Sequence, residues 1–217
     1  MYRFVVGIVA LSLLVGAGCG PGGPRTRAVF LLLDTSGTYT QEIGRAQAIV
    51  NYLLGTLESG DSLGLARIDS ESFTEKDIVA RVTFDERPSY SNQQKRAFRE
   101  SLDGFVKQVR RGSAYTDITG GMLQATEWLR ETGARERYIL VFSDLEEELP
   151  EGYVRDFEID LSGVRVVALN VTKLRSDQID PRDYLQRLDR WEARVVQGAG
   201  TFKVINDLDR LDALLGP

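Results

Sequence analysis

The sequence predicts an α/β protein, a sheet covered by helices on both faces, and three observations carry that expectation. Ala28–Leu33 is an unbroken apolar run of strand length, which suits a strand buried on both sides of a parallel sheet. Runs of this kind alternate along the chain with stretches whose apolar residues recur at helical spacing. The link between the second and third strands is short and polar, which favours a hairpin and therefore an antiparallel third strand.

The elements follow in order. After the first strand, Ile43, Ala46, Val50, Leu53 and Leu57 mark a helix. Ser62–Ile68 reads as the second strand and Ile78–Phe84 as the third. Ser91 with Gln94 resembles a capping box, with Phe98, Leu102, Phe105 and Val109 as the stripe behind it. Ile118, Met122, Ala125 and Leu129 form the next helical face, and Gly133 is its expected stop. Tyr138–Phe142 and Val164–Val171 read as strands. Asp180-Pro181 starts a helix with Asp as cap and Pro in the first turn, and Tyr184, Leu188, Trp191 and Val195 follow at helical spacing. Thr201–Ile205 is a last strand, and Leu208, Leu211 and Leu215 mark a short final helix. Tyr153–Leu161 fits neither pattern cleanly and is expected as an extended segment or a poor helix.

Composition bounds the function. The 217 residues suit one domain of ordinary size, with 42% hydrophobic and 27% charged residues and a formal net charge of -5. An acidic balance gives no support for nucleic-acid binding. The chain has no histidine, which removes Ser-His-Asp catalysis and His-built zinc sites. Cys19 is its single cysteine. It follows Arg3, an apolar run from Phe4 to Ala17, and the small residues Gly16-Ala17-Gly18. A basic start, a short apolar core and small residues before a cleavage point read as a secretory signal. With the Cys the pattern resembles the bacterial lipobox, with Gly16 where Leu is commonest. The expected organisation is a signal peptide over 1–18, a lipidated Cys19 with a short Gly/Pro/Arg tether over 19–27, and one domain over 28–217. The expected location is the cell envelope, through a lipid anchor. Gly20 after the Cys, in place of Asp, leans towards the outer membrane.

Three segments carry chemistry. The first strand ends in Asp34-Thr35-Ser36-Gly37-Thr38, and ligands in open α/β sheets sit beyond the carboxyl ends of strands. Asp34, Ser36 and Thr38 alternate, so a tight loop can turn three hard oxygen donors towards one point, suited to Mg²⁺, Mn²⁺ or Ca²⁺. Taken alone, this stretch reads more readily as Thr38 with Gln41 capping the first helix while Asp34 bonds loop amides. Thr116, followed by Asp117, stands in a loop at a helix start, where either residue serves as an N-cap. The strand ending at Phe142 runs into Ser143-Asp144, which puts a second acid at a carboxyl strand end. The charged runs Arg110-Arg111 and Glu146-Glu147-Glu148 flank these segments and are expected to be solvated surface.

In this order the segments resemble the von Willebrand factor type A family and its metal-ion-dependent adhesion site, over about Arg27 to Leu215. The resemblance implies a three-layer Rossmann-like fold with a mainly parallel six-stranded sheet, one antiparallel edge strand and helices on both faces. It implies metal binding by Ser36 and Thr38 through hydroxyls, by Thr116 directly or through a water, and by Asp34 and Asp144 directly or through waters. Asp117 is expected at the helix start or behind the ligands. Thr38 departs from the usual last Ser of the motif and keeps the hydroxyl. The resemblance implies a protein partner that offers a Glu or Asp to the ion, and a binding module in place of an enzyme. Two other readings compete: a metal-independent scaffold of the same fold, and a haloacid dehalogenase-like phosphotransferase. In the second, the acid/base position holds Ser36, and the Thr116-Asp117 segment has no role.

Overall fold

The apolar run that opens the domain becomes the centre of the sheet. In the computed structural model, which describes residues 25–36, 42–70, 74–108, 113–169, 171, 174, 176–207 and 212–215, strand β1 spans Arg27–Asp34 and is buried from Ala28 onwards. Helix α1 (Ile43–Thr56), strand β2 (Ser62–Ile68) and strand β3 (Ile78–Thr83) follow. Two helices come next, α2 (Pro88–Gln108) and α3 (Ile118–Glu131), and then β4 (Glu136–Phe142) and β5 (Val164–Leu169). Helix α4 (Pro181–Gln197), strand β6 (Thr201–Ile205) and the short α5 (Asp212–Leu215) follow. The sheet order is β3-β2-β1-β4-β5-β6, with β3 antiparallel to β2 at one edge and every other pairing parallel. This is the expected fold class, and the chain reverses its direction of travel across the sheet between β1 and β4.

Alternate residues of β1 feed two cores. Val29, Leu31 and Leu33 pack with Ala46, Ile49, Val50 and Leu53 of α1 and with Phe98 and Leu102 of α2. Ala28, Phe30 and Leu32 face the opposite layer, with Ile118, Met122, Ala125 and Leu129 of α3 and Trp191 and Val195 of α4. Period-2 alternation on a strand buried on both faces accounts for this division. At the amino edge of the sheet Arg27 belongs to β1 and not to the tether: its guanidinium and amide bind both oxygens of Asp61 at 2.7–3.0 Å, and it also donates to the Thr56 carbonyl.

Some helix signals hold and others shift. Asp180 caps α4 with Pro181 at its first turn, and Gly133 ends α3 with φ +66°. Ser91 and Gln94 do not form a cap, because α2 begins earlier, at Pro88. Ser91 is buried within the helix, and Gln94 Oε1 instead accepts from the Asp85 amide at 2.8 Å. Tyr153–Leu161 forms neither helix nor strand. Strand β5 ends at Leu169, short of the expected Val171. Val109, Leu208 and Leu211 lie outside the described residues.

Gly64 on β2 is set by close approach. A Cβ there would stand 2.4 Å from the Phe30 ring, which itself packs edge-on against Trp128 at 5.4 Å. Gly64→Ala should therefore lower stability by about 1–3 kcal/mol, the usual cost of overpacking a tight core, as read by chemical denaturation.

Candidate functional site at the carboxyl edge of the sheet

Strand register brings the expected segments together. Asp34 pairs with Ile68 at the end of β2, and Leu33 pairs with Phe142 at the end of β4. The carboxyl ends of β1, β2 and β4 therefore lie side by side where the chain reverses across the sheet, the place where open α/β sheets form a crevice. Asp34 is fully buried there. The Ser36 amide donates to its Oδ1 at 2.7 Å and the Ser143 hydroxyl to its Oδ2 at 2.6 Å. Burial pushes the Asp34 carboxyl above its ordinary value, and the hydrogen bonds from Ser143 and Ser36 offset this only in part.

The Thr116 loop is laced into the same edge. Ser36 and Ser113 form a bridge, with the Ser113 amide donating to the Thr35 carbonyl at 2.8 Å. Thr116 and Glu148 exchange two main-chain hydrogen bonds, at 2.7 and 3.1 Å. Asp117, and not Thr116, caps α3: its Oδ1 accepts from the Gly120 amide at 2.8 Å. Gly120 is needed for this cap, since a Cβ would stand 2.4 Å from Asp117 Oδ2, and Gly121 lies close against Leu32. These two glycines thus serve close packing at a helix start, not the loop adjustment that glycine-rich segments otherwise imply. Arg155 reaches across to Asp117 with a fork of contacts at 2.7–3.2 Å. That hydrogen-bonded carboxylate raises the Arg155 guanidinium against the opposing effect of burial.

Asp144 is nearly buried, and its Oδ1 accepts from the Glu146 amide at 3.0 Å. The buried Arg187 donates to its main-chain carbonyl at 2.9 Å and pairs with the buried Asp177 at 2.8 Å. The next residue, Leu145, has φ +65°, a left-handed conformation that costs a leucine about 1–2 kcal/mol. Its amide donates to Ser143 Oγ and its carbonyl accepts from Trp191 Nε1, both at 2.9 Å, which holds it in place.

Several residues at this edge escaped the sequence reading. Asp69 follows β2 directly, and its Oδ1 accepts from the Ser113 hydroxyl at 2.6 Å and the Ser70 amide at 2.7 Å. Burial acts to raise its carboxyl, but Ser113, Ser70 and the Arg67 charge together hold it below its ordinary value. The rule that singled out Asp34 and Asp144, an acid just past a strand, applies equally to Asp69. The Glu146–Glu148 run is not merely solvated surface. Glu147 Oε1 accepts from the Thr119 amide at 2.7 Å, its Oε2 pairs with Arg194, and Glu146 pairs with Arg187. Thr38, Cys19, Gly37 and Arg110-Arg111 lie outside the described residues.

The donor set suits a hard divalent cation. Asp34 is a buried carboxylate whose described partners are neutral, the Ser36 amide and the hydroxyls of Ser143 and Ser36. Among the described residues no three His, Cys, Asp or Glu side chains converge into a carboxylate cage, so cation binding here would rest largely on hydroxyls.

No family model and no curated protein matches the chain. Solved structures similar to it include a von Willebrand factor type A protein from Catenulispora acidiphila, with 14% identity, a TM-score of 0.48, and coverage of 88% of this chain and 41% of that one. Another is described as an aerotolerance-related membrane protein from Bacteroides fragilis with multiple mutations to serines, with 14% identity, a TM-score of 0.44, and coverage of 88% and 96%. The chain thus spans about two fifths of the length of the first. These likenesses concern overall architecture and say nothing of individual residues.

Asp117→Ala removes both the cap of α3 and the partner of Arg155. It should lower stability by about 2 kcal/mol, more than a cap alone typically contributes, as measured by denaturant unfolding.

Proposed function

We propose that this chain is a membrane-anchored binding module that engages a protein partner through a divalent cation, Mg²⁺ or alternatively Mn²⁺ or Ca²⁺, at the carboxyl edge of its sheet. The observation that carries this reading is Asp34: a fully buried carboxylate whose described partners are neutral, with Ser36, the Thr116 loop and the Ser143-Asp144 strand end tied around it. Hydrogen bonds offset the cost of burying this carboxylate only in part, and a cation beside it would remove the remainder.

In this reading Ser36, Thr38 and Thr116 offer hydroxyl oxygens, and Asp34 and Asp144 offer carboxylates, directly or through water. Asp117 stays behind them, holding the start of α3. A bound cation with few protein carboxylates around it supplies a positive, open coordination position, and a Glu or Asp of the partner is the group best suited to fill it. The protein's own work is positioning: Arg187 and Trp191 fix the Asp144–Leu145 turn, and Ser143 orients Asp34. The module is a binder, not an enzyme.

The anchor is Cys19, carrying lipid after removal of residues 1–18, which holds the domain at the surface of the cell envelope. No helix among the described residues is long and apolar enough to cross a membrane. One observation favours a second reading, a metal-independent scaffold: both Asp34 oxygens already accept hydrogen bonds within the protein.

Titration calorimetry on the mature protein separates the two. The proposal expects Mg²⁺ or Mn²⁺ binding at millimolar levels or tighter, abolished by Asp34→Ala with the fold retained. Partner binding should weaken by at least about tenfold, or ~1.4 kcal/mol, on addition of EDTA and again in Thr116→Ala. A partner whose affinity ignores both perturbations would leave the scaffold reading standing.

A further inference from the structure

Parallel neighbouring strands are joined by a crossover that usually carries a helix. Between β4 and β5 it does not: residues 143–163 contain neither helix nor strand. This segment is nevertheless fixed at both ends. Near β4 it is held by Trp191 on the Leu145 carbonyl, by Glu147 on the start of α3 and by Arg155 on Asp117. Near β5, Ile159 and Leu161 are buried, and the Leu161 amide donates to the Gly198 carbonyl. Gly198 is required there, since a Cβ would stand 2.2 Å from the Ile159 carbonyl.

Between these fixed ends a groove of about 730 Å³ runs along the C-terminal end of α4. Leu149, Val154, Phe157 and Ile159 provide its apolar lining. Val154 is 73% exposed and Phe157 39%, beside Tyr153 at 44%. Clustered exposure of large apolar side chains marks contact surfaces on folded domains. The charges around it have one sign to spare. Arg155 and Arg194, the cations of the groove, are committed to Asp117 and Glu147, and Arg194 also donates to the Arg155 carbonyl. Asp156 and Glu158 line the groove as exposed carboxylates, with Glu151 exposed in the same segment. Because the segment is fixed in place, binding there requires little ordering of the protein.

We propose that this groove docks a peptide segment of a partner protein that combines lysine or arginine with aromatic or aliphatic side chains, the apolar groups against Val154 and Phe157 and the cations at Asp156 and Glu158. It is a second surface, opposite in charge preference to the cation-dependent one, and it does not require the cation.

The probe is a random peptide library displayed on phage, selected on the full mature chain in EDTA. The leading peptides are then synthesised and titrated by fluorescence anisotropy at physiological salt. The double variants Val154→Ser/Phe157→Ser and Asp156→Lys/Glu158→Lys alter exposed side chains, and unchanged thermal unfolding verifies the fold. The expected result is a set of net-positive peptides with apolar residues that bind at least about tenfold more weakly to each double variant. Their affinity should be the same in Mg²⁺, in EDTA and in Asp34→Ala, so the outcome is independent of the cation reading. Binders that ignore both double variants, or that carry no net positive charge, would overturn the proposal. So would sedimentation showing a dimer of the wild type that Val154→Ser/Phe157→Ser disperses, since a second copy would then occupy the groove.

Discussion

A carboxylate buried at the end of the central strand is the constraint around which this protein is organised. Asp34 ends a strand that is inaccessible along almost its whole length, so the sheet itself removes its carboxylate from water. Such a group must find donors or a cation. The donors come from two separate places, the Ser36 amide two residues onward and the Ser143 hydroxyl just past β4, 109 residues away in sequence. Satisfying Asp34 therefore ties the β1 loop to the β4 loop. The bridge from Ser36 to Ser113, and the main-chain pair of Thr116 with Glu148, extend the tie to the start of α3. One desolvated acid thus gathers three loops at the switch point of the sheet.

The polar contacts behind that edge define shape more than they add stability. Arg187 and Asp177 are a fully buried pair, and the cost of desolvating two charges roughly cancels their attraction. Arg187 nonetheless places a guanidinium under the Asp144 carbonyl, beside the left-handed turn at Leu145. Arg155 and Glu147 do the same for the start of α3. The result is a crossover without a helix that is still held in one course. Its carbonyls and amides find partners on α3 and α4, while its middle leaves an open groove. The two proposed binding surfaces lie on successive stretches of one chain segment: Asp144 at its start and the acidic, apolar groove further along.

The strands and most helices were legible because each has one dominant local signal. Ala28–Leu33 has the length and unbroken apolar character of a buried strand, and Asp180-Pro181 is a strong helix start. The Ser91/Gln94 reading failed because a capping pattern is also what two ordinary helix residues look like; Pro88 had already opened α2, and Gln94 serves the Asp85 amide instead. The segment from Tyr153 to Leu161 was illegible for a physical reason. Its conformation is dictated by long-range contacts to Asp117, α3 and α4, which leave no periodicity in the sequence. At the site, acids and a hydroxyl at strand ends pointed to Asp34, Ser36 and Asp144 and a helix-start hydroxyl to Thr116, and the strand register and bridges place their segments at one edge. Asp69 carried the same signal and was passed over, because no resemblance drew attention to it. Arg155 and Arg187 carried none: the groups that tie them to this edge, Asp117 and the Asp144 carbonyl, lie 38 and 43 residues away.

The edge around Asp34 is proposed to hold a divalent cation. Mn²⁺ tests this most directly, because its unpaired electrons broaden the amide resonances of residues nearest to it. On adding Mn²⁺ to the labelled protein, broadening should be confined to the segments around Asp34–Ser36, Thr116-Asp117 and Ser143-Asp144, reversed by excess Mg²⁺ and absent in Asp34→Ala. Broadening centred on the exposed acids at Glu151, Asp156 and Glu158, or spread evenly over the acidic surface, would contradict it.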